Sequence, residues 1–420
     1  MMNKQSIEKA YEAAKEIYAQ VGIDTDKAIK RANDKPISLH CWQGDDVLGF
    51  EGTASLSGGI QTTGNYPGRA RNASELRADL DKALSLIPGS NKVALHAIYR
   101  ESDTPVDRAK VQPEHFTGWA DWAVDRKIGL DFNQSLFSHD YNTNGLTISS
   151  PDKAVRDYWI EHSINCRKIS EYLGKRCGMP SITNFWIPDG TKDIPADRYA
   201  PRARLAEAMD IVFKEKIDPK YHKDTIEGKL FGIGSESYVV GSNDFYLAYA
   251  AKNGCMLTAD VGHYHPTEQV SDKISAYMCF IDEIMLHVSR GVRWDSDHVV
   301  LMDNELVSIM SEIVRGGFDD RVNIALDYFD ASINRIAAWV TGARNARKAY
   351  LRACLEPVEI LKKKEQEGDT TAVFVLTEEY KALPWSAVFD YYCLTSGMPV
   401  GYTWLDNVKE YEGSVLAARK

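Results

Sequence analysis

The sequence predicts an α/β protein, a (β/α)8 TIM barrel with additional helical segments at its N- and C-terminal ends. Eight short β-rich runs alternate with helical patterns along the chain. Strands that alternate with helices form a parallel sheet, and eight such strands can close it into a barrel. Polar residues recur near the C-terminal ends of the runs, where barrels of this fold carry their active sites. An open doubly wound sheet is the alternative, but it would bring fewer strand ends together.

The eight predicted strands are short runs bounded by turn-forming residues. In chain order they are ISLHCW (37–42), KVALHAIY (92–99), IGLDFNQ (128–134), SITNFWI (181–187), TIEGKLFGIG (225–234), CMLTADVGH (255–263), IMLHVSR (284–290) and VNIALDYFD (322–330). Helical patterns lie between them, at 73–87, 114–126, 152–174, 202–213, 244–254, 268–283 and 304–317.

The chain outside this core divides into two helical extensions and one long connection. We predict a catalytic barrel domain over residues 1–345, which includes a helical N-terminal extension, and a C-terminal helical extension over residues 346–420. The connection after the first strand carries six glycines between Gly49 and Gly68. A connection of this length in a compact barrel is more often an active-site lid or a subunit contact than a linker, although disorder is an alternative.

Seven acidic and histidine residues near the last four strands form a candidate site for two hard metal ions. They are Glu227, Asp260, His263, His287, Asp295, Asp297 and Asp327. Two carboxylates about 4 Å apart repel by roughly 4 kcal/mol at an effective dielectric constant of about 20, so the five carboxylates would need cations among them. Oxygen and imidazole ligands without a thiolate suit Mn²⁺, Mg²⁺ or Co²⁺, with Zn²⁺ as a further alternative. Any one of these residues alone could instead be a strand-end cap or turn residue.

Composition and motifs disfavour several other classes of protein. A net charge of −10, with Arg and Lys dispersed among acidic residues, does not suit a nucleic-acid partner. Seven cysteines without a CxxC pair indicate reduced thiols and a cytoplasmic location rather than a disulfide framework. No apolar run approaches the length of about 18 residues that a membrane span needs. GIGSES lacks the third glycine of a dinucleotide-binding loop, and no GxxxxGK[ST], HExxH or GxSxG motif occurs.

Four aromatic residues lie beside polar residues near predicted strand ends, and they are Trp42, Phe132, Trp186 and Phe329. A flat apolar wall next to hydrogen-bonding groups suits one face of a sugar. Packing in the hydrophobic core is the alternative for each of them.

Four segments resemble the bacterial L-rhamnose isomerase family, and they are GKLFGIGSES, D-x-GHYHPTE, SRGVRWDSDHVV and LDYFDASINRIAAW. The similarity extends across nearly the whole chain and, more distantly, to the xylose isomerase-like group of metal-dependent barrels. It implies one ion held by Glu227, Asp260, His287 and Asp327. A second ion would be held by the set Asp260, His263, Asp295 and Asp297. The resemblance further implies a cytoplasmic homotetramer that is activated by Mn²⁺ and converts L-rhamnose into L-rhamnulose.

The chemistry of aldose–ketose isomerisation agrees with this ligand set. The reaction moves a hydrogen between C1 and C2 and a proton between O1 and O2, and two ions can hold both oxygens, which favours a direct hydride shift. By resemblance and position, Lys229 would stabilise charge on O1, and His96 and Asp327 are candidates for opening the sugar ring. Trp186, His96 and Lys229 are the predicted substrate contacts.

Three alternative functions stay open. The chain could isomerise another rare aldose, since several share the stereochemistry that the reaction needs. A metal-dependent phosphodiesterase on the same barrel would use similar residues, but it would need a basic groove. A sugar-binding barrel without catalysis would have no use for two adjacent metal sites.

Overall fold

The computed structural model describes residues 3–52, 62–229, 236–292 and 296–419. Eight parallel strands form a closed barrel, in which each strand pairs with its neighbours in the chain and the first strand pairs with the last. The strands are β1 (Ile37–His40), β2 (Asn91–His96), β3 (Gly129–Asn133), β4 (Ser181–Trp186), β5 (His222–Glu227), β6 (Met256–Asp260), β7 (Ile284–Val288) and β8 (Val322–Leu326). The predicted fold class is confirmed, and each strand lies within or next to a predicted run.

One helix follows each barrel strand, and further helices lie at both ends of the chain. The barrel helices are α3 (Ala73–Leu84), α4 (Thr117–Arg126), α5 (Lys153–Cys177), α6 (Tyr199–Val212), α7 (Asn243–Asn253), α8 (Ser271–Met278), α9 (Asn304–Gly316) and α10 (Arg335–Cys354). The N-terminal helices are α1 (Lys4–Gln20) and α2 (Thr25–Asp34), and the C-terminal helices are α11 (Val358–Gln366), α12 (Thr370–Glu379), α13 (Trp385–Thr395) and α14 (Trp404–Ser414). The two ends of the chain meet where α13 packs on α1, with the rings of Tyr11 and Tyr391 stacked 3.7 Å apart. The division of the chain at residue 345 stays a prediction.

Polar caps and glycines set the ends of the barrel helices. The Asp303 side chain accepts a hydrogen bond from the backbone N–H of Leu306 at the start of α9. Gly317, with a φ of 67°, ends the same helix in the left-handed conformation that glycine adopts at little cost. Gly178 and Gly254 end α5 and α7 in the same way. No helix in the described ranges is long and apolar enough to cross a membrane.

The predicted strands extend past the observed C-terminal ends. The fifth run was predicted over residues 225–234, whereas β5 ends at Glu227 and residues 230–235 lie outside the described part of the chain. At Gly228 a Cβ atom would lie 2.1 Å from Asn243 Oδ1, so a glycine lets the chain pass close to the start of α7. Residues of the rim continue a strand-like pattern after the backbone has left the sheet, which explains the overlong prediction.

Side chains that point into the barrel form an apolar layer and a polar layer above it. The apolar layer is a cluster separate from the main core and consists of Ile182, Met256, Met285 and Ala325. Successive side chains of a strand point to opposite faces, so residues two positions further on lie above this layer. Those residues are Asn184, Thr258, His287 and Asp327. Alternation within the strands therefore raises polar groups towards the C-terminal rim.

A short antiparallel ribbon covers one side of this rim. Residues Gly190–Thr191, which follow β4, pair with Tyr238–Val239, which precede α7. We call this pair of segments the rim ribbon. It joins the connections that follow β4 and β5.

Candidate metal centre

Four of the predicted ligands meet at the C-terminal end of the barrel. Glu227 and Asp260 are the last residues of β5 and β6, His287 lies near the end of β7, and Asp327 directly follows β8. One ligand atom from each of the four lies within 4.8 Å of the others. The first three residues are buried and Asp327 is partly exposed. The barrel thus brings together four residues from a stretch of about a hundred along the chain.

The His287 imidazole lies between the three carboxylates. Its Nδ1 atom is 3.2 Å from Glu227 Oε1, 3.2 Å from Asp327 Oδ2 and 3.8 Å from Asp260 Oδ2. Burial alone would raise the pKa of the carboxyl groups and lower the pKa of the imidazole, but the attraction between them outweighs burial. The pKa of Asp327 is lowered to about 2, the pKa of Glu227 is lowered, and the pKa of His287 is raised well above its ordinary value. The arrangement is one that favours positive charge at its centre.

Hydrogen bonds from neighbouring residues orient the carboxylates. Asn184 Nδ2 donates to Glu227 Oε2, and Thr258 Oγ1 donates to Asn184 Oδ1 over 2.9 Å. The backbone N–H of Gly262 donates to Asp260 Oδ1 over 2.6 Å. These bonds satisfy carboxylate lone pairs that do not face the centre of the cluster, which leaves other lone pairs for an ion.

The predicted second site is described only in part. His263 Nδ1 lies 3.3 Å from Glu227 Oε1, so this residue stands beside the four-residue cluster. Asp297 has a φ of 42°, and its carbonyl oxygen accepts a hydrogen bond from the Phe329 backbone over 3.1 Å, which places it near the end of β8. Asp295 lies outside the described residues. The ligand set of the second ion therefore stays a prediction.

Lys229 is buried at the rim, two residues after the end of β5. Its Nζ atom donates to the Pro188 carbonyl over 2.9 Å and forms an ion pair with Glu236. The same atom lies 5.9 Å from the centre of the Trp186 ring. The ammonium is thus held at the mouth of the barrel by Glu236 of its own connection and by Pro188 of the connection after β4.

An aromatic wall lines the rim above β1 to β4. The His96 ring lies 4.7 Å from the Trp42 ring and 5.4 Å from the Phe137 ring, and Phe137 lies 6.2 Å from Trp186. Of the other two predicted wall residues, Phe132 is a core residue that packs edge-on against Phe116, and Phe329 packs against the core. Core packing is the alternative for all four, and Trp42 is likewise buried in the core while Trp186 packs against it.

His96 is a neutral base at this wall. Burial lowers the pKa of its imidazole to about 4. Its Nδ1 atom lies 2.9 Å from the Gln134 carbonyl oxygen, which can only accept a hydrogen bond. The proton of the neutral ring therefore sits on Nδ1, and Nε2 carries the free lone pair.

The rim divides into a metal half, β5 to β8, and an aromatic half, β1 to β4. A side-chain hydrogen bond to a potential ligand joins the halves at each boundary. At the β4–β5 boundary Asn184 donates to Glu227, and at the β8–β1 boundary Trp42 Nε1 donates to Asp327 Oδ1 over 2.9 Å. Each bond ties a residue of one half to a potential ligand in the other.

Asn184, Phe137 and Glu236 were not predicted as functional residues from the sequence. Asn184 shares one face of β4 with Ile182 and Trp186, so the two-residue period of the strand was a usable signal for it. Phe137 and Glu236 lie in connections without periodicity. Nothing in the local sequence distinguishes Phe137 from other loop residues, whereas Glu236 lies within GKLFGIGSES, one of the segments that carry the family resemblance.

The family model and the related sequences agree on one family. A family model described as L-rhamnose isomerase (RhaA) matches residues 5–419. Proteins named L-rhamnose isomerase from Klebsiella pneumoniae (strain 342) and Salmonella heidelberg (strain SL476) are each 56% identical over 414 residues, which covers 98% of this chain and 99% of the relative. A solved structure described as an L-ribulose 3-epimerase is 14% identical, with a TM-score of 0.46 over 78% of this chain and 96% of that chain.

Proposed function

Since this chain belongs to the L-rhamnose isomerase family and is an aldose–ketose isomerase, we propose that it converts L-rhamnose into L-rhamnulose. The observation that carries this proposal is the convergence of Glu227, Asp260, His287 and Asp327 at the barrel rim. We further propose a homotetramer in the cytoplasm, as the sequence resemblance implies. Light scattering after gel filtration can test the tetramer, and cell fractionation can test the location.

The four converging residues fit a divalent metal ion. Three carboxylates share one imidazole, so even a protonated His287 would leave two negative charges uncompensated in a buried place. A divalent ion beside a neutral imidazole leaves only one negative charge uncompensated. We propose Mn²⁺, with Co²⁺, Zn²⁺ or Mg²⁺ as alternatives, and a second ion held by Asp260, His263, Asp295 and Asp297. Such ions, when bound, polarise the O1 carbonyl of the open-chain sugar and make its O2 hydroxyl more acidic.

The remaining rim residues bind the sugar and move its protons. Trp42, Phe137 and Trp186 present apolar ring surface that would cover one face of the sugar and exclude water. His96 Nε2 can accept the hydroxyl proton whose removal opens the sugar ring, a role for which Asp327 is the second candidate. The Lys229 ammonium would stabilise negative charge on O1.

We propose that hydrogen passes directly from C2 to C1 as hydride while a proton passes from O2 to O1. An enediol route would need a free carboxylate or imidazole within about 3 Å of the C2 hydrogen. Glu227, Asp260 and Asp327 are instead gathered around His287. These three carboxylates are therefore committed to the metal centre, and the free Nε2 of His96 is assigned to ring opening rather than to the C2 hydrogen.

The test is turnover of L-rhamnose labelled with deuterium at C2, in ordinary water with Mn²⁺. The label should be found at C1 of the ketose by NMR. Extensive loss of the label to solvent would replace the hydride shift with proton transfer by His96, Lys229 or Asp327.

A panel of aldoses tests the substrate. L-rhamnose should give the highest kcat/KM for ketose formation. Another preferred aldose would correct the substrate but not the reaction class. Cleavage of a phosphodiester without ketose formation would overturn both.

A further inference from the structure

The Lys229 ammonium has three donor positions, and two of them are occupied within the protein. Nζ donates one hydrogen bond to the Pro188 carbonyl and pairs with the Glu236 carboxylate. The side chain is fully buried, so its flexible stem has no solvent in which to reorient. Because two acceptors fix the ammonium, the direction of its third N–H is fixed as well.

The rim ribbon delivers both acceptors. Pro188 lies just before the first segment of the ribbon, and Glu236 lies just before the second. The backbone N–H of Ser237 donates to the carbonyls of Thr191 and Lys192, which fastens the residue after Glu236 to the first segment. At Gly190 a Cβ atom would lie 2.7 Å from the Tyr238 carbonyl oxygen and 3.0 Å from Glu236 Cγ, so this glycine lets the segments approach.

The first segment of the ribbon is itself held from below. The buried Asp189 carboxylate accepts hydrogen bonds from the backbone N–H groups of Thr147 and Ser149, each over 2.9 Å. The hydroxyl groups of the same two residues also donate to it. Pro188, the neighbour of Asp189, is therefore on a rigid support rather than on a loose loop.

Glu236 makes an unfavourable contribution to stability that a role in holding the ribbon alone would not explain. One carboxylate oxygen pairs with Lys229, while the other, Oε2, is buried without a hydrogen-bond partner. A buried polar atom left without a partner destabilises the folded state, and more so when it carries charge. Such exceptions concentrate at functional sites, where the structure elsewhere offsets the cost.

We propose that Glu236 is the positioning residue for the isomerisation, which fixes the Lys229 ammonium so that its third N–H meets O1 of the sugar. This inference rests on the proposed function, in which Lys229 stabilises charge on O1. Glu236 acts through Lys229 and does not itself meet the reacting atoms. A misplacement of about 1 Å in a group of this kind can reduce the rate about a hundredfold.

The kinetic test compares Glu236→Ala, Glu236→Gln and the control Glu283→Ala. Glu283 pairs with Lys223 at the other end of β5, over 2.6 and 2.7 Å, so the control removes the same type of pair away from the rim. We expect Glu236→Ala to lower kcat about ten- to a hundredfold with KM changed less than about threefold, since the contact matters in the transition state. Glu236→Gln should lose less, because its amide oxygen still accepts from the ammonium. The control should keep its kcat within about twofold.

The double variant Glu236→Ala with Lys229→Met separates positioning from general damage. If Glu236 acts only through Lys229, the double variant should be no slower than Lys229→Met alone. The proposal would be overturned if Glu236→Ala lowered kcat by the same factor in the Lys229→Met background as it does when Lys229 is present. Melting temperature and the number of bound Mn²⁺ ions should be the same in Glu236→Ala and in the unchanged protein.

Crystal structures provide a readout that does not depend on activity. Lys229 Nζ should stay on the Pro188 carbonyl in the unchanged protein and in Glu236→Gln, and should leave it in Glu236→Ala. An unmoved ammonium in Glu236→Ala would overturn the proposal. If the protein prefers another aldose, the kinetic comparison is made on that sugar, and if it forms no ketose at all, the proposed function fails while the crystal structures still decide the positioning.

Discussion

At the scale of single residues, the metal centre depends on side chains that would not touch an ion. Asn184 is the clearest example, because it fixes Glu227 by one bond and is itself held by Thr258. Residues in such positions typically change metal affinity by about 10–100-fold when they are removed.

We therefore expect Asn184→Ala to weaken Mn²⁺ binding about tenfold or more, measured by isothermal titration calorimetry. Asn165→Ala is the matched control, since Asn165 is a buried asparagine that donates to the Ala109 carbonyl away from the rim. Equal affinities in the two variants would mean that Glu227 needs no support from Asn184.

Asp45 is a second single residue with a predicted effect, in this case on the pH dependence of stability. Burial raises the pKa of its carboxyl group from 3.8 to about 7, although hydrogen bonds from the Tyr99 hydroxyl and the Gly49 N–H lower it in part. The folded protein therefore holds this proton more tightly than the unfolded chain. Stability from this group is fully present below about pH 4 and is lost as the pH rises towards about 7, at up to about 1.4 kcal/mol per pH unit.

The prediction is that the melting temperature of the unchanged protein falls relative to Asp45→Asn between pH 5 and about pH 7, and changes no further above that. Asp34→Asn, at an exposed carboxylate beside Lys30, is the control and should show no such trend. A difference between the unchanged protein and Asp45→Asn that is independent of pH would show that Asp45 is ionised in the folded state throughout.

At the scale of elements, the connection between β1 and α3 shows what a pattern can and cannot predict. Its glycines indicated a lid or a subunit contact, but residues 53–61 lie outside the described part of the chain, so this stays a prediction. What the structure adds is its two fixed ends. Glu51 pairs with Arg100 and Arg108, and the Tyr66 carbonyl accepts from Arg335 over 2.7 Å. The contacts of neither end could be predicted, since ion pairs and hydrogen bonds between distant segments leave no local signal.

Two changes in this connection should affect different properties of the protein, its kinetics in one case and its melting temperature in the other. Deletion of the tip, residues 54–60, should raise KM or lower kcat with little change in melting temperature. Glu51→Gln should lower the melting temperature, because it removes one partner of a buried ion pair, a change that typically costs about 3–5 kcal/mol. Unchanged kinetics after the deletion would show that the tip is only a linker.

The strands were predictable because each keeps its alternation and its turn-forming borders, so all eight were found in the correct order. Their ends were not, since Lys229, His263 and Asp327 continue the pattern beyond the sheet. The register of the barrel could not be predicted either, because it is set by the pairing of residues in neighbouring strands that are far apart in the sequence. Asp260 lies opposite His287 in that register, and no local sequence feature states this.

At the scale of the whole molecule, the metal centre connects four consecutive strands. Each of β5 to β8 contributes one residue within or directly after the strand, so a bound ion would link half of the barrel. A ligand that binds only the folded state stabilises it by about 2.7 kcal/mol at a concentration of 100 times its Kd. For a chain of 420 residues this corresponds to about 3 °C in melting temperature.

We expect exhaustive chelation to abolish turnover and to lower the melting temperature by about this amount, and Mn²⁺ to restore both. In Asp327→Asn, Mn²⁺ should shift the melting temperature less, because one ligand of the first ion is gone. Full activity in metal-free protein would contradict the assignment of the site.

Sequence reasoning could name the residues of this centre but not their arrangement. Glu227 and Asp327 are a hundred positions apart, and only closure of the barrel makes them neighbours. The seven predicted ligands were proposed as one group from residue type and strand position. The structure gathers four of them, places His263 beside these four, and leaves the geometry of the second ion to experiment.

The division of the rim into two halves bears on how sugar isomerases acquire new preferences. In the function proposed above, the aromatic residues that would contact the sugar lie after β1 and β3 and at the end of β4, and the residues that would hold the metal ion lie in or directly after β5 to β8. Substitutions of Phe137 or Trp186 could therefore change the preferred aldose while the metal centre, and with it the catalytic activity, is kept. Trp42 and Asn184, which join the halves, are the positions where such drift would be least tolerated. Libraries for altered sugar preference should spare these two and randomise the wall between them.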